Sequence, residues 1–157
     1  MTAPLVARVA PINKTPNDDD VEVLARTLWG EARGESLAGQ QAVAWSIRNR
    51  VEIRLAPGKP NWWGEGYKGV CQAKYQFSCW NPNDPNYPYL SGAKPIPKSQ
   101  LEAFKAVARD VMTDKVPDPT GRATHYYATT MPKAPAWAKA GTPTVTIGHH
   151  KFFRDVK

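Results

Sequence analysis

The chain has 157 residues, the size of one domain, and its content of 41% hydrophobic and 10% aromatic residues excludes a disordered chain. No apolar run approaches the roughly 20 residues that cross a bilayer, so we expect no integral membrane association. The formal net charge of +7 favours an anionic environment, but the 21 Lys and Arg residues are scattered and do not identify the partner.

The N-terminal residues do not have the layout of a secretory signal, because Arg8 and two flanking prolines interrupt the apolar residues there. We therefore predict a flexible segment over residues 1–17 and a single domain over residues 18–157. Without such a signal, we expect the protein to stay in the cytoplasm after synthesis or to leave it by another route.

Three segments without proline predict helices. The first begins at the acidic run 18–20, whose carboxylates suit a helix N-terminus, and ends near Gly34. The second has Ser36 as its candidate N-cap. The third begins with Ser99 and Glu102, which form a capping-box pattern.

The rest of the chain predicts loops and strands. Residues 56–97 are rich in proline and aromatic residues and indicate a long loop region. Residues 123–130 and 144–153 are rich in Thr, Tyr, Val, Ile and Phe, which favours two short strands. The expected fold class is α+β, mostly helical, with a short C-terminal antiparallel strand pair.

Cys71 and Cys79 leave two alternatives open. Eight positions apart, they could close a small disulfide loop in an oxidising compartment, or remain free thiols in a reducing cytoplasm. Their spacing does not form a zinc-site pattern.

The segment 29–35, which reads WGEARGE, is the most informative one for chemistry. Glu31 and Glu35 are four residues apart and would share a helix face at roughly 6 Å, which requires compensation by a neighbour such as Arg33 or by a cleft that needs the acids. Gly30 lets backbone approach a ligand, and Trp29 offers an apolar wall beside which a carboxyl group tends to stay protonated as a general acid. The alternative is a solvated helix end with a surface ion pair.

Further motifs follow along the chain in a definite order: LARTLWGEARGE at 24–35, GQQAVA at 39–44, RNRV at 48–51, VC at 70–71, QFSCW at 76–80, ATHYY at 123–127, Trp137, and IGHHKFF at 147–153. In this order they closely resemble the SleB-type cell-wall hydrolase family, which includes spore-cortex-lytic enzymes and related bacterial and phage proteins. The resemblance covers about residues 21–153. It implies a small lysozyme-like α+β fold of the goosefoot type that cleaves the glycan strand of peptidoglycan without a cofactor.

The resemblance also implies that Glu31 is the catalytic acid, which protonates the oxygen between N-acetylmuramic acid and N-acetylglucosamine. Attack by the sugar's own C6 hydroxyl then gives the 1,6-anhydro product of a lytic transglycosylase, whereas attack by water gives the product of a muramidase. Hydrolysis normally needs a second carboxylate. We interpret Glu35 as structural, because it lies one turn away on the same helix, and this favours the mechanism with one glutamate.

Other residues in the motifs fit a glycan groove. The candidate substrate-binding residues are Gln76, Phe77, Ser78, Trp80, Tyr126 and Tyr127, with Trp62 and Trp63 as further aromatic candidates. For each aromatic residue the alternative is core or loop packing. Tyr126 and Tyr127 alternate along a strand, so one should face the cleft and the other the core. The candidates for structural support are Glu35, Arg33, Asn49 and His125.

The three histidines raise the question of zinc. His149 and His150 are adjacent in a predicted strand and would point to opposite faces, and the sequence has no His-Glu-x-x-His run, so we predict no metal site. The competing hypotheses are a zinc-dependent peptidoglycan amidase or endopeptidase that uses His125 and His149, and a basic module that binds nucleic acid or wall glycan without catalysis. Scattered basic residues and acids at the predicted cleft argue against nucleic acid.

A short basic catalytic module without an export signal resembles a phage endolysin. Such a protein waits in the host cytoplasm and reaches the cell wall after holin-type release. We therefore expect a monomer that acts on ordinary vegetative peptidoglycan, with its positive charge helping on anionic envelope surfaces.

Overall fold

A computed structural model describes residues 16–53, 63–74 and 76–156. Most of the predicted N-terminal segment, over residues 1–15, and the candidate Trp62 lie outside the described residues. The described part contains helices α1 (Asp18–Ala32), α2 (Leu37–Glu52), α3 (Gly66–Cys71), α4 (Tyr87–Leu90) and α5 (Lys98–Met112), and strands β1 (His125–Ala128), β2 (Thr142–Ile147) and β3 (His150–Arg154). Two 3₁₀ turns cover Ser78–Trp80 and Ala136–Lys139.

The first two long helices begin where the sequence predicts. The cap of α1 is Asn17, whose side-chain oxygen accepts from the Asp19 amide at 2.7 Å, so the acidic run occupies the first turn beside the positive helix end. Helix α2 begins after Ser36, whose hydroxyl accepts from the Gly39 amide at 3.3 Å, and this confirms the predicted cap.

The predicted start of the third helix is wrong in its detail. Helix α5 begins at Lys98 after Pro97, and no side chain caps it. Proline supplies an extended backbone just before the helix, so Ser99 already lies inside the first turn. Glu102 pairs instead with Lys105 at 3.5 Å on the surface of the helix.

The predicted loop region 56–97 contains more helix than expected. Helices α3 and α4 and the 3₁₀ turn Ser78–Trp80 all lie within its described part. They are too short for an apolar periodicity to reveal them, and α4 has Pro88 in its first turn, where a missing N–H costs no helical hydrogen bond.

The core lies between α1, α2 and α5, and Leu24, Leu28, Ile47 and Val111 are fully enclosed there. Arg48 is also buried, at 1% exposure. Its guanidinium donates to the Val111 carbonyl at 2.7 Å and to the Asp114 carboxylate at 2.6 Å, and also pairs with Glu52 on α2. The charge is therefore paired, and it binds α2 to the C-terminal end of α5, where a cation is favourable.

The sheet has three antiparallel strands in the order β1-β3-β2, where the sequence predicted a strand pair. The predicted strand over 144–153 is a hairpin, because Gly148 takes a φ of +57° and a two-residue turn reverses the chain there. Glycine at the first central position is typical of tight hairpin turns. Phe152 on β3 is fully buried and joins the helical core.

Across the described ranges, no helix combines the length and apolar character that a membrane span requires.

The absence of a side chain at Gly30 allows the 3₁₀ turn Ser78–Trp80 to approach α1 closely. A Cβ at position 30 would lie 2.7 Å from the Cys79 Cβ and 2.8 Å from its sulfur, which is inside van der Waals contact. The close approach expected at Gly30 therefore involves Cys79.

We expect Gly30→Ala to lower the free energy of unfolding by about 1–3 kcal/mol, because the methyl group must displace buried Cys79. Urea unfolding followed by circular dichroism measures the change. Gly34→Ala is the matched control, since a Cβ there meets no atom within 4 Å. Equal stability of the two variants would contradict the packing argument.

Candidate active site

The site is centred on Glu31, which is half-buried in the last turn of α1. One carboxylate oxygen, Oε1, accepts a hydrogen bond from the Tyr126 hydroxyl at 2.8 Å. The buried Cys79 thiol lies on the side that Gly30 leaves open, and burial, with the charge of nearby Glu31, raises its pKa. Burial, reinforced by the charge of Glu31, raises the pKa of Tyr126 well above its usual value, so this hydroxyl remains a donor.

Arg50 is a site residue that the sequence reasoning missed. It is 5% exposed on α2, donates through Nε to the Thr124 carbonyl, and donates from Nη1 to the Gln76 side-chain oxygen at 2.8 Å. Burial lowers the pKa of Arg50 to about 10, although Tyr126, Cys71 and Glu31 act in the opposite direction and raise it. Arg50 is therefore cationic at neutral pH and supplies positive charge near Glu31. The sequence feature that could have identified Arg50 is its position seven residues after Val43, because residues at this spacing lie on the same, buried face of α2.

The segment 76–78 lies beside Arg50, and its three residues differ in exposure. Gln76 is exposed and is oriented by Arg50, and Ser78 is exposed at the start of the 3₁₀ turn. Phe77 is only 2% exposed, with its ring 5.0 Å from the Arg50 guanidinium. Because its ring is enclosed, we assign Phe77 to the core beneath the site, which corrects the expectation that it contacts substrate.

Trp80 packs against α1 at Thr27, one helical turn before Glu31. Its indole N–H donates to the Thr27 hydroxyl at 2.9 Å, and its half-buried ring lines a groove of about 920 Å³ beside α1. Arg26, Lys68 and Tyr87 also line this groove, whereas Glu31 does not.

Tyr126 and Tyr127 point to opposite faces of the sheet, as the alternation predicts, but neither placement matches a simple division between cleft and core, because Tyr126 also packs on the core and Tyr127 does not. Tyr126 points to Glu31. Tyr127 stacks on Phe153, with ring centres 5.6 Å apart, and approaches Trp137 at 6.0 Å. Tyr127 therefore belongs to an aromatic layer on the outer face of the sheet, away from the helical core.

Glu35 lies beyond the end of α1, so the expectation that it shares a helix face with Glu31 is wrong, and the hairpin turn holds its side chain. Its side chain is 9% exposed, and it accepts from the His149 amide at 3.0 Å and interacts with His149 Nδ1 at 3.0 Å. His150 Nδ1 lies 3.9 Å from the same carboxylate. The expectation that His149 and His150 point to opposite faces is wrong, because His149 belongs to the turn and not to the strand.

The environment of Glu35 favours its charged form. Burial alone would raise its pKa, but the hydrogen bonds from the His149 amide and ring, with the nearby His150, lower it below the usual value. Burial lowers the pKa of His150 in spite of Glu35. Glu35 is thus an anion, and its contacts with His149 connect the β2–β3 turn to the turn between α1 and α2.

The other three support residues hold the surroundings of the site. Arg33 donates to the Trp29 carbonyl and to the Asn86 side chain, both at 2.9 Å. Asn49 donates to Asp118 at 3.0 Å and to the Ala123 carbonyl at 2.9 Å. His125 is buried between the rings of Trp63 and Trp137, where burial and the charge of Arg50 lower its pKa to about 3.

Trp29, expected to wall the cleft, is instead a core residue at 5% exposure. Its indole N–H donates to Gln100 on α5 at 2.8 Å.

In the part of the chain that the structure describes, no three His, Cys, Asp or Glu side chains lie close enough together to hold a metal ion. Cys71 and Cys79 are free and buried, and burial raises the pKa of Cys71 to about 12. Of the two alternatives for the cysteines, the structure therefore has the free thiols.

A family model described as Cell Wall Hydrolase matches residues 34–153. The chain belongs to this family. The match includes Glu35 and the sheet and begins just after Glu31. A search of curated proteins finds no significant match.

Two solved structures share the fold. The catalytic domain of the germination-specific lytic transglycosylase SleB from Bacillus anthracis aligns with a TM-score of 0.62 and 25% identity, over 91% of this chain and 100% of that one. The catalytic domain of the SleB protein from Bacillus cereus aligns with a TM-score of 0.58 and 25% identity, over 93% and 100%. These similarities confirm the predicted family and fold class.

We expect Glu35→Gln to lower the free energy of unfolding by about 1–2 kcal/mol at pH 7, through loss of the charge that His149 stabilises. Because the folded state lowers the pKa of Glu35, this stabilisation is fully present above the ordinary value of 4.5. It disappears as the pH falls through the lowered folded-state value. Urea unfolding of both proteins between pH 7 and pH 3 tests this, and a difference that grows at low pH would contradict the assignment.

Proposed function

We propose that this cell wall hydrolase cleaves the glycan strand of peptidoglycan between N-acetylmuramic acid and N-acetylglucosamine, as a lytic transglycosylase with Glu31 as its one catalytic carboxylate. The observation that carries the proposal is the different environment of the two glutamates. Glu31 is half-buried and held at one oxygen by Tyr126, whereas both oxygens of Glu35 are engaged by the hairpin turn.

In the first step, Glu31 donates its proton to the bridging oxygen while the bond from that oxygen to C1 of the muramic acid breaks. The Tyr126 hydroxyl occupies Oε1 of Glu31, which leaves Oε2 to carry the proton toward the substrate. The departing sugar keeps the new hydroxyl group, and an oxocarbenium-like state develops at C1.

In the second step, the C6 hydroxyl of the same muramic acid attacks C1 and closes the 1,6-anhydro ring. The Glu31 carboxylate accepts the proton that this hydroxyl releases, so the enzyme returns to its starting state and no water is consumed. Tyr126 acts as a positioning residue here, because its hydrogen bond keeps the carboxylate in one orientation during both transfers.

Water-dependent cleavage is less well supported by the geometry. An inverting hydrolase holds water with a second carboxylate roughly 6.5–9.5 Å from the first, and a retaining one places a nucleophilic carboxylate about 5–5.5 Å away. Glu35 is the only other acid of the motif, and its 9% exposure and contacts with His149 turn it toward the hairpin. The observations therefore favour the route that needs one carboxylate.

The zinc-dependent alternative finds no support among the described residues. His125 is enclosed by two tryptophan rings at the start of β1. His149 contacts Glu35 at the β2–β3 turn, which lies at the other end of the strands. Within the described ranges, no group of three His, Cys, Asp or Glu side chains has an arrangement that could hold a metal ion.

We expect Glu31→Gln to reduce the release of fragments from purified sacculi by at least about a thousandfold, because an amide cannot donate the proton. Glu35→Gln, the matched control, should retain substantial activity where it is folded, because its amide oxygen can still accept the hydrogen bond from the His149 amide and hold the hairpin. Mass spectrometry of the wild-type products should show muropeptides lighter by one water than hydrolytic fragments.

Retained lysis by Glu31→Gln would remove Glu31 from the mechanism. Products with a complete reducing end would instead identify a muramidase. Loss of activity in folded Glu35→Gln would give the second glutamate a chemical role.

We further propose that the protein serves as a phage endolysin, which is synthesised in the host cytoplasm and acts on the wall after a holin-type release. The proposal rests on the resemblance of its motifs to a family with phage members and on its charge of +7, which suits an anionic envelope.

Expression of the unmodified chain in a Gram-negative host should leave growth unchanged until the membrane is permeabilised, because the substrate lies outside the membrane. Optical density should then fall rapidly, and expression of Glu31→Gln should leave it stable. Lysis before permeabilisation would contradict a need for release.

A further inference from the structure

The outer face of the sheet differs from what solvent exposure alone would favour. The register pairs His125 with Phe153 and Tyr127 with Lys151, so these four side chains share the face opposite Tyr126 and Phe152. An antiparallel sheet face turned to water is usually polar. Here it carries three rings, and further aromatic residues lie over them.

Two tryptophans from outside the strands cover this face. Trp137 lies edge-on to Phe153 at 5.3 Å and 5.0 Å from His125, and Trp63 lies 5.3 Å from His125 on its other side. Phe153 and His125 are buried beneath them. The surface of this region therefore consists of half-exposed Trp63, Tyr127 and Trp137, which we call the aromatic strip.

Side-chain contacts link the candidate active site to the aromatic strip, although the strip lies on the opposite face of the sheet from Tyr126. The Arg50 guanidinium lies 6.0 Å from the ring of Trp63, and Glu31 is among the charges that act on Arg50. Trp63 in turn contacts His125, and His125 contacts Trp137. Because Arg50 and His125 are buried, these contacts run through the interior, and the strip is a surface separate from the candidate active site.

The segment that forms most of this face has an excess of basic residues, although Asp155 follows it directly and pairs with Arg154 at 3.5 Å. Residues 122–154 contain no Asp or Glu and five basic residues, namely Arg122, Lys133, Lys139, Lys151 and Arg154. Lys151 lies on the outer face itself, 5.6 Å from the ring of Phe153, and Lys139 is exposed beside Trp137. A ligand that suits this surface has flat apolar faces and negative charge.

We propose that the aromatic strip and its lysines form a second binding surface, which holds an uncleaved stretch of glycan strand with its carboxylate-bearing stem peptides. The apolar faces of sugar rings pack on Trp137 and Tyr127, and Lys139 and Lys151 attract the carboxylates. This inference rests on the proposed function, because that function supplies the polymer. The surface keeps the enzyme on the wall between cleavage events.

The test measures binding of the full chain to purified sacculi by centrifugation, with Glu31→Gln present in every protein so that the polymer stays intact. Lys139→Glu with Lys151→Glu should weaken binding about tenfold, because two attractive contacts become repulsive. The matched control is Lys98→Glu with Lys115→Glu, two exposed lysines on or next to α5. The control pair makes the same change in net charge and should alter binding by less than about twofold.

A second variant tests the rings. Trp137→Leu keeps an apolar cover over Phe153 but removes the flat face, so it should weaken binding about fivefold while thermal unfolding shows an intact fold. In proteins that keep Glu31, both the lysine pair and Trp137→Leu should raise KM on sacculi and leave kcat on short soluble glycan fragments within about twofold of wild type.

Unchanged binding of both variants, or equal loss in the control pair, would overturn the proposal. A concentration-dependent dimer that the lysine pair abolishes would assign the face to a second copy of the chain and would also overturn it. Failure of the proposed function gives a different result, because wild type would then cleave neither sacculi nor short fragments, whereas the centrifugation measurement does not require cleavage.

Discussion

The arrangement of Glu31 and Tyr126 depends on one largely buried carboxylate, Glu35. It joins the turn between α1 and α2 to the β2–β3 hairpin through the His149 amide and ring. The joint is tight, because a Cβ at Gly148 would lie 2.3 Å from the Glu35 oxygen and a Cβ at Gly39 would lie 2.9 Å from its Cβ. Since β3 pairs with β1, fixing the hairpin also fixes the strand that carries Tyr126 against Glu31.

The last turns of α2 hold the other end of the sheet. Asn49 donates to the Ala123 carbonyl and Arg50 to the Thr124 carbonyl, so the chain entering β1 is anchored by two consecutive residues. Arg50 also orients Gln76. A buried cation is costly unless hydrogen bonds and opposite charge compensate it. Because its compensation comes from β1 and the segment 76–77, this single side chain couples the sheet, the loop region and the site.

The long helices and the catalytic motif could be predicted from sequence, because their signals are local: an apolar stripe in α1, the Ser36 cap of α2, and WGEARGE at the helix end. The hairpin was missed because residues 144–153 have β-forming composition on both sides of Gly148. Composition identifies strand-forming residues, but only the φ of +57° at Gly148 makes the chain reverse.

The sequence by itself determined the family and the fold class, and it singled out two candidate glutamates, Glu31 and Glu35. Only the tertiary structure distinguished their environments, since Glu31 meets Tyr126 from 95 positions away and Glu35 meets His149 from 114 positions away. It likewise moved Phe77 into the core and brought Arg50 to the site. Sequence spacing predicted both carboxylates on one helix, but Glu35 lies beyond the end of α1, and the groups that contact each glutamate come from distant segments that only folding brings near.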